Sequence, residues 1–288
     1  MRRTARRWMG GACGLMVAAA MLSTPALAAT STVIQVFPGP SAIKNALQQA
    51  NPGDTLNIHT GTYAEGVSVD VASVTLQSAG DGPVTVDAGC HGTAINVSAD
   101  GVTLADLRVL NGNFFGVNAD FVSDGHFSGL KIKSSCPLVE YGINLFGTGA
   151  MLIEGNIATG FSDAGIYIGG IVDTGTGSLI TQGNTLYGNN RGIIVEDSAR
   201  VSLIVRRNLL HANANDGLFL HNSDGIVITS NTASDNGYAG IELDPNSDGN
   251  LVKGNRSRGH PYDLANGGGT GNCFRDNVYT TSFGSIAC

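Results

Sequence analysis

Charged and aromatic residues are scarce in this chain of 288 residues. Asp, Glu, Lys and Arg make up 14% of it and aromatic residues 6%, whereas about a quarter of an average globular protein is charged. Apolar residues with helical spacing occur in almost no segment, which excludes a helical bundle. Beyond residue 28, no apolar run is long enough to cross a membrane as a helix. These absences leave a turn-rich β protein without a membrane span.

Residues 1–28 have the three parts of an export signal: a basic start, a short apolar stretch and a cleavage site. These parts are Arg2-Arg3 with Arg6-Arg7, the stretch from Leu15 to Leu22, and Ala26-Leu27-Ala28. We therefore expect a secreted protein, extracellular or periplasmic, exported by the general or the twin-arginine route.

Positive charge becomes rare once the signal is removed. Without its four arginines, 12 Lys and Arg face 23 Asp and Glu, so the formal charge changes from −7 to −11. This balance disfavours nucleic acid as a partner. It also disfavours tight binding of polyanionic glycans unless a cation bridges the carboxylates.

Four of the five cysteines lie outside the signal: Cys90, Cys136, Cys273 and Cys288. An even number in an oxidising compartment predicts two disulfides. Cys273 and Cys288 close a short terminal loop and are the preferred pair, which leaves Cys90 with Cys136. The two other pairings remain open.

Glycine is abundant, with 41 residues, and five glycines begin a phrase that recurs about every 23 to 27 residues. Each is followed by alternating apolar residues: Gly142-Ile143-Asn144-Leu145, Gly165-Ile166-Tyr167-Ile168, Gly192-Ile193-Ile194-Val195, Gly217-Leu218-Phe219-Leu220 and Gly240-Ile241-Glu242-Leu243. Short apolar runs between these phrases end in asparagine, at Asn156, Asn184, Asn208, Asn231, Asn255 and Asn277. A fixed period of this length predicts a solenoid of stacked turns.

The alternation predicts which side chains stack inside the solenoid and which do not. The expected buried columns are Ile143, Ile166, Ile193, Leu218 and Ile241; Leu145, Ile168, Val195, Leu220 and Leu243; and Ile153, Thr181, Val205, Ile228 and Val252. The asparagines are expected to form a ladder along the axis, and Asn189, Asn213 and Asn236 a second one. We expect both ladders to be structural, because function rarely repeats at every turn.

A single helix is predicted over residues 41–50, with Ser41 as its N-cap and Pro52-Gly53 as its stop signal. It would cover the open end of the solenoid, where strand edges are otherwise unpaired. The domain organisation predicted from the sequence is then a signal at 1–28 and one domain at 29–288. That domain comprises turns over 54–279 and a closing segment at 262–288.

The chain resembles right-handed parallel β-helix proteins of the pectate-lyase-like superfamily. The residues that carry the resemblance are AIKNALQQANPGDTL from Ala42 to Leu56, Gly61-Thr62-Tyr63, the repeats, and the closing Tyr262-Asp263-Leu264, Gly269-Thr270-Gly271-Asn272 and Asn277. The repeats are similar to those of carbohydrate-binding and sugar-hydrolase β-helices, including NosD-like proteins and mannuronan epimerases. The resemblance implies an all-β, single-stranded right-handed solenoid. It leaves the activity open, because the superfamily includes lyases, hydrolases, esterases, epimerases and proteins without known catalysis.

Outward positions of neighbouring turns should bring three polar residues into one column. Counting four residues from each glycine aligns Glu196, His221 and Asp244. Glu196 and Asp244 would lie two turns apart, about 9.6 Å by backbone, close to the ~6.5 to 9.5 Å that separates the acid and base of inverting glycosidases. These three are the predicted catalytic residues. The competing interpretation is a polar, solvated sheet face without chemistry.

Three further side chains flank this column, namely Tyr167, Phe219 and Glu242, and are the predicted substrate-binding residues. The two aromatic rings would stack on sugar rings.

A calcium site is a further candidate in the turn Asp244-Pro245-Asn246-Ser247-Asp248-Gly249. Asp244, Asn246 and Asp248 match the first half of an EF-hand loop, whereas position twelve is Asn255 in place of the usual glutamate. A turn of this composition also forms without metal. Copper, which the NosD-like resemblance implies, finds no cluster of His or Met in support.

The sequence is therefore consistent with two functions. The first is a secreted, monomeric β-helix protein that binds or modifies a polysaccharide on its outer face, as an inverting glycoside hydrolase or a uronate-active enzyme. The second is a non-catalytic carbohydrate-binding or cell-surface structural protein. Whether the chain is an enzyme is left open by the sequence.

Overall fold

The computed structural model describes residues 31–171, 177–199 and 202–288, and residues 31–288 form one compact unit. The predicted export signal lies outside the described residues. Within them the elements in chain order are β1 (Val33–Val36), α1 (Ala42–Leu47), β2 (Thr55–Ile58), β3 (Gly61–Tyr63), β4 (Val67–Val69), β5 (Thr75–Ser78), β6 (Val84–Asp87), β7 (Ile95–Val97), β8 (Thr103–Ala105), β9 (Arg108–Leu110), β10 (Phe115–Asp120), β11 (Gly125–Ser128), β12 (Lys131–Lys133), β13 (Tyr141–Phe146), β14 (Met151–Glu154), β15 (Ile157–Thr159), β16 (Ala164–Gly169), β17 (Leu179–Gln182), β18 (Thr185–Tyr187), β19 (Arg191–Glu196), β20 (Leu203–Arg206), β21 (Leu209–His211), β22 (Leu218–His221), β23 (Val227–Thr229), β24 (Thr232–Ser234), β25 (Ala239–Leu243), β26 (Leu251–Lys253), β27 (Arg256–Arg258), β28 (Tyr262–Asn266), β29 (Cys273–Arg275) and β30 (Ser282–Phe283).

These strands form three parallel sheets that wind into a solenoid. Sheet A has 11 strands in the order β1-β2-β5-β8-β11-β14-β17-β20-β23-β26-β29. Sheet B has nine, β3-β6-β9-β12-β15-β18-β21-β24-β27, and sheet C has ten, β4-β7-β10-β13-β16-β19-β22-β25-β28-β30. In a complete turn the chain passes from sheet A to sheet B to sheet C, which confirms the predicted all-β solenoid.

The predicted buried columns are confirmed by the strand register. Ile193 pairs with Ile166 on one side and Leu218 on the other, and Val195 pairs with Ile168 and Leu220. In sheet A, Thr181 pairs with Ile153 and Val205. All members of the three columns are fully buried. The core is therefore the stack of inward side chains from the three sheets.

The asparagine ladders occupy two of the three corners between sheets. At the corner from sheet A to sheet B, Asn208 Nδ2 donates to Asn231 Oδ1 at 3.0 Å and to the Thr181 carbonyl at 3.0 Å. At the corner from sheet B to sheet C, Asn213 Nδ2 donates to Asn236 Oδ1 at 2.9 Å. Corner backbone groups are not paired by any strand. Buried side-chain amides form the hydrogen bonds that these groups would otherwise make with water.

The third corner, from sheet C to sheet A, has a hydroxyl ladder that the sequence analysis missed. The Ser198 amide donates to Ser223 Oγ at 3.2 Å, and the Ser223 amide donates to Ser247 Oγ at 3.1 Å. This ladder fixes the backbone directly after the end of each sheet C strand.

The predicted helix is present but shorter. Ser41 is its N-cap residue, as predicted, but the side chain of Ser41 does not cap it. Ser41 lies in the N-cap position in a left-handed conformation and makes no side-chain capping bond. Glu65 from the following turn caps the helix instead, accepting from the amides of Ile43 at 3.0 Å and Lys44 at 3.3 Å. A carboxylate at this end also suits the helix dipole. The cap therefore joins the helix to the first turn of the solenoid.

Strand pairing extends beyond the predicted limits of 54–279 at both ends. Strand β1 precedes the helix and pairs with β2, and β30 pairs with β28. Both preferred disulfides are present, Cys90 to Cys136 and Cys273 to Cys288. The described residues contain no helix that is long and apolar enough to cross a membrane.

Candidate functional site on sheet C

The outer face of sheet C carries both predicted outward columns in the expected register. Glu196 pairs with His221, and Asp244 follows the end of β25, one residue beyond the pair Leu220 and Leu243. Tyr167, Ile194, Phe219 and Glu242 form the neighbouring column. The structure thus brings all six predicted catalytic and substrate-binding residues to one face.

Glycine at the start of each sheet C strand allows the turns to stack this closely. A Cβ atom on Gly192 would lie 2.4 Å from the Gly217 carbonyl oxygen, a distance that no side chain tolerates. The repeated glycine is therefore needed for packing, and it sets where the following residues point.

His221 lies between the two carboxylates that were expected to act as a pair. Its Nδ1 is 2.7 Å from Asp244 Oδ2, and its Nε2 is 4.0 Å from Glu196 Oε1. Asp244 is nearly buried, whereas the side chains of His221 and Glu196 are 43% and 36% exposed. Asp244 consequently orients the ring, and the Nε2 edge faces the open side of the sheet.

Asp244 is held firmly by its own turn. Its Oδ1 accepts hydrogen bonds from Ser247 Oγ at 2.7 Å and from the amides of Asn246 at 3.1 Å and Asn222 at 3.2 Å. Asp248, in contrast, accepts from the Thr270 amide of the next turn. The carboxylates of this turn therefore accept hydrogen bonds from backbone amides and, at Asp244, from the Ser247 hydroxyl.

Across the described residues, no group of three or more His, Cys, Asp and Glu side chains is arranged to hold a metal ion. Calcium binding by Asp244, Asn246 and Asp248 stays a prediction.

A second cluster lies beside the first and was missed in the sequence analysis. Arg191 Nε donates to Asp216 Oδ2 at 3.0 Å, and its Nη1 donates to Asp163 Oδ1 at 3.0 Å. Asp216 is fully buried and also accepts from the Ala239 amide at 3.2 Å. The carboxyl group of Glu242 interacts electrostatically with that of Asp216. One arginine thus neutralises part of a cluster that contains three carboxyl groups.

Burial and the neighbouring Asp216 raise the pKa of Glu242 to about 7. Burial also raises the pKa of Asp216, although Arg191 opposes this shift. Two carboxyl groups in contact cannot both ionise at low cost, so the pair holds one proton near neutral pH. Glu242 is consequently a proton donor at a pH where an ordinary glutamate is not.

Aromatic rings extend along the same face toward the N-terminal end. The rings of Tyr141 and Tyr167 stack at 4.4 Å, and Phe115 stacks on Tyr141 at 5.8 Å. Phe121 and Phe146 meet edge to face at 5.5 Å. Phe121 is 75% exposed, so this part of the face offers flat apolar surface to a ligand.

The tyrosines are tied to the acidic residues and are not available as bases. Tyr167 donates to Glu196 Oε2 at 2.8 Å, and Tyr141 donates to Asp163 Oδ2 at 3.3 Å. Burial, reinforced by these carboxylates, raises the pKa of both phenols. Both hydroxyls therefore remain protonated donors.

The missed residues share a sequence signal that counting forward from the glycines does not reveal. Tyr141, Arg191 and Asp216 each directly precede a repeat glycine. Tyr141 and Arg191 are partly exposed, whereas the glycine after each of them is buried. Examining the position before each glycine would have placed Arg191 beside Asp216.

The comparisons with known proteins agree with this architecture. The model of the family "right handed beta helix region" matches residues 60–215 and 115–279. Similar solved structures include the pectate lyase Pel9A, with 14% identity and a TM-score of 0.70 over 90% of this chain and 78% of that one. The A-module of the Azotobacter vinelandii mannuronan C-5 epimerase AlgE4 has 16% identity and a TM-score of 0.59 over 88% and 79% of the two chains.

A third similar structure is the tailspike of E. coli bacteriophage HK620 in complex with a pentasaccharide. It has 11% identity and a TM-score of 0.54 over 89% of this chain and 60% of that one. A search among curated protein sequences found no match. At these identities the structural likeness establishes the fold alone.

Proposed function

Because this chain belongs to the right-handed β-helix family, we propose that it binds a polysaccharide along the outer face of sheet C and hydrolyses it. The similar structures named above include a pectate lyase, an epimerase that acts on mannuronan, and a tailspike with a bound pentasaccharide. They support a polysaccharide as the ligand. The proposed reaction depends on two residues of this chain, Glu242 and His221.

The observation that carries the proposal is a protonated carboxyl group beside an oriented imidazole. Glu242 keeps its proton near neutral pH because of burial and Asp216. His221, on the adjacent strand, is bound through Nδ1 to Asp244 at 2.7 Å. Glu242 and His221 are diagonal neighbours on the face, roughly 8 Å apart by backbone. This spacing suits an acid and a base that hold a glycosidic bond and a water between them.

In the proposed reaction, Glu242 gives its proton to the glycosidic oxygen as the bond to the anomeric carbon breaks. A water molecule attacks the opposite side of that carbon, and its proton passes to His221 Nε2. Asp244 fixes the imidazole tautomer that carries hydrogen on Nδ1, which leaves Nε2 free to accept. Water supplies both the hydroxyl of the new reducing end and the proton that restores Glu242 through solvent. The anomeric configuration is inverted.

Glu196 has a contact role in this proposal. Its Oε2 is held by Tyr167 at 2.8 Å, and its Oε1 faces the same open space as His221 Nε2. A carboxylate there would accept hydrogen bonds from sugar hydroxyls. Tyr167 and Phe219 would supply apolar faces for sugar rings, as predicted from the sequence.

The net charge of the site favours a neutral glycan over a negatively charged one. Asp163, Asp216, Glu196 and Asp244 outnumber the single arginine of the cluster, Arg191. A uronate chain would meet net negative potential here, and elimination from a uronate needs positive charge at its carboxylate. The proposed substrate is therefore a neutral polysaccharide.

We further propose that the protein is secreted. Two disulfides suit an oxidising compartment. A polysaccharide substrate also suits a protein that acts outside the cytoplasm. Residues 1–28 would be the export signal.

The test is a panel of neutral glycans incubated with the wild type and Glu242→Gln, with new reducing ends and binding measured separately. We expect Glu242→Gln to lose at least ~100-fold in hydrolysis, the usual value of a general acid, and to keep its binding affinity. Wild-type hydrolysis should fall as pH rises through about 7, because Glu242 must be protonated to act.

Glu154→Gln is the matched control. Glu154 also pairs with a histidine, His126, at 2.9 Å, but on the outer face of sheet A. Its substitution should leave hydrolysis unchanged. Binding without product in the wild type would instead favour the non-catalytic carbohydrate-binding protein, and equal losses in the two variants would contradict the assignment of the site.

A further inference from the structure

The last outward-facing residue of each sheet A strand is uncharged or acidic in the early turns and mostly basic in the late turns. The strand register aligns Gln35, Asn57, Gln77, Ala105, Ser128, Glu154 and Gln182, followed by Arg206, Thr229, Lys253 and Arg275. The first seven positions contain no cation. Three of the last four do, so positive charge is confined to one end of this column.

Two more cations lie at the adjoining corner between sheets A and B. Arg207 directly follows Arg206, and Arg256 begins β27 just beyond the corner that follows Lys253. We call Arg206, Arg207, Lys253, Arg256 and Arg275 the basic edge. It contains five of the 12 Lys and Arg residues of the chain beyond the signal. All but Arg206 are exposed.

These cations have no carboxylate partners in the part of the chain that the structure describes, where the ion pairs involve only Arg191 and three histidines. Asp276 directly follows Arg275, and Asp248 and Asp263 are the acidic residues nearest to β27 in sequence. None of the three forms an ion pair with the basic edge. Arg206 Nε donates to Gln182 Oε1 at 2.8 Å, which directs the rest of its guanidinium outward. Gln182 in turn binds Glu154 at 2.7 Å and separates that carboxylate from Arg206.

The fold does not require positive charge at these positions. The same column accepts asparagine, glutamine, alanine and serine in earlier turns with the same strand pairing. Arg191, by comparison, is bound by two carboxylates because it has a structural role on sheet C. The basic edge therefore concentrates five cations on adjacent turns of a chain with a formal charge of −7, which creates local positive charge that an anionic ligand can contact.

We propose that the basic edge binds a linear anionic polysaccharide whose acidic groups are uronate carboxylates. The cations lie nearly in single file over four turns, about 14 Å at ~4.8 Å per turn, and so match an extended chain better than a compact anion. Four of the five are arginines, whose forked donors pair with carboxylates in a bidentate manner. A duplex nucleic acid would bring a broad band of phosphates against a protein that is acidic elsewhere.

This ligand differs from the neutral glycan proposed for sheet C, and the two surfaces are separate. The acidic cluster lies on the outer face of sheet C, whereas the basic edge lies at the corner of sheets A and B. The basic edge would attach the protein to an acidic matrix without occupying the site on sheet C.

The test is affinity electrophoresis through gels containing polygalacturonate. Wild-type protein should be retarded in low salt and released as salt increases, because each contact displaces a counterion. The variant Arg207→Gln, Lys253→Gln, Arg256→Gln, Arg275→Gln should lose at least tenfold in affinity. Glu242→Gln should be retarded like the wild type, so failure of the hydrolase proposal would not affect this result.

The matched control is Arg108→Gln, Lys131→Gln, Lys133→Gln, three exposed cations on the early strands of sheet B. Thermal unfolding verifies that both variants fold. Retention of the basic-edge variant, or an equal loss in the control, would overturn the proposal. Binding of duplex DNA as tight as that of polygalacturonate would overturn the choice of a polyuronate.

Discussion

The early and late turns of the solenoid fill the same corner with different chemistry. At the corner from sheet A to sheet B, Leu107 and Leu130 occupy the position that Asn156 and the following five asparagines occupy later. Leucine fills the corner with apolar volume. Asparagine fills it with hydrogen bonds that link each turn to the next, such as Asn184 Nδ2 to Asn208 Oδ1 at 2.9 Å. These hydrogen bonds join six successive turns, from Asn156 to Asn277.

The outer face of sheet C changes at almost the same place. Its early half carries asparagines and aromatic rings, such as Asn118 bound to Asn144 at 2.7 Å. Its late half carries Glu196, His221 and Glu242. The titratable cluster thus lies on the turns that ladders hold in place at all three corners, and a reactive arrangement needs such support. The early half has the surface for binding, and the late half has the groups for chemistry.

The largest effect is expected when leucine, the residue found at this corner in the early turns, replaces an asparagine of the late turns. Asn208→Leu should lower the free energy of unfolding by about 3 kcal/mol, because it leaves the Asn184 amide and the Thr181 carbonyl buried without partners. Urea unfolding followed by circular dichroism measures the loss. Asn208→Ser, which keeps a small polar group, is the control. A cost of only a few tenths of a kcal/mol would mean that apolar filling and hydrogen bonds are interchangeable here.

A smaller effect is expected from removing an aromatic ring in the early half of sheet C, which should change KM and leave kcat unchanged. Phe121→Ala removes an exposed ring at the early end and should raise KM for long oligosaccharides up to about tenfold, the upper value of one aromatic contact. The turnover number, kcat, should stay the same, because in the proposed complex the ring would contact substrate far from the reacting bond. Steady-state kinetics with short and long substrates measures this. Phe37→Ala, which removes an exposed ring near sheet A, should change neither constant, and a fall in kcat for Phe121→Ala would contradict the division of roles.

The smallest effect concerns the end of the second ladder. His260 accepts from the Asn236 amide at 2.9 Å, where the pattern calls for asparagine, and its buried Nε2 has no partner among the described residues. His260→Asn should raise the unfolding free energy by about 1 kcal/mol, because its amide can reach the Ala233 carbonyl as Asn236 reaches that of Leu210. Thermal melts compare it with His260→Ala. A loss of stability in both variants would mean that the imidazole has a role of its own.

Most of the fold could be predicted because its signals are local and repeated. Glycine and asparagine recur at fixed positions of each turn, so the buried columns, both asparagine ladders and the outward register follow from counting. The side chain that caps the helix was not predicted, because Glu65 reaches Ile43 and Lys44 from the next turn and no local pattern reveals that contact.

The site was only partly predictable for the same reason. Glu196, His221 and Asp244 were aligned by the repeat, but the raised pKa of Glu242 depends on burial and on Asp216 from the preceding turn. Arg191 joins carboxylates from two different turns, Asp163 and Asp216. Proton affinity in such a cluster depends on three-dimensional neighbours, which residue spacing does not specify.

The disulfide between Cys273 and Cys288 has a consequence for growth of the sheet. A parallel solenoid ends in an open strand edge that could template further strands from another molecule. Here the Phe274 amide donates to the Ala287 carbonyl at 3.3 Å, and the disulfide pins that tail to the last strand of sheet A. Residues of the same chain thereby lie along the edge of the last strand of sheet A. A disulfide thus holds a segment at the position where a strand of another molecule would add to sheet A.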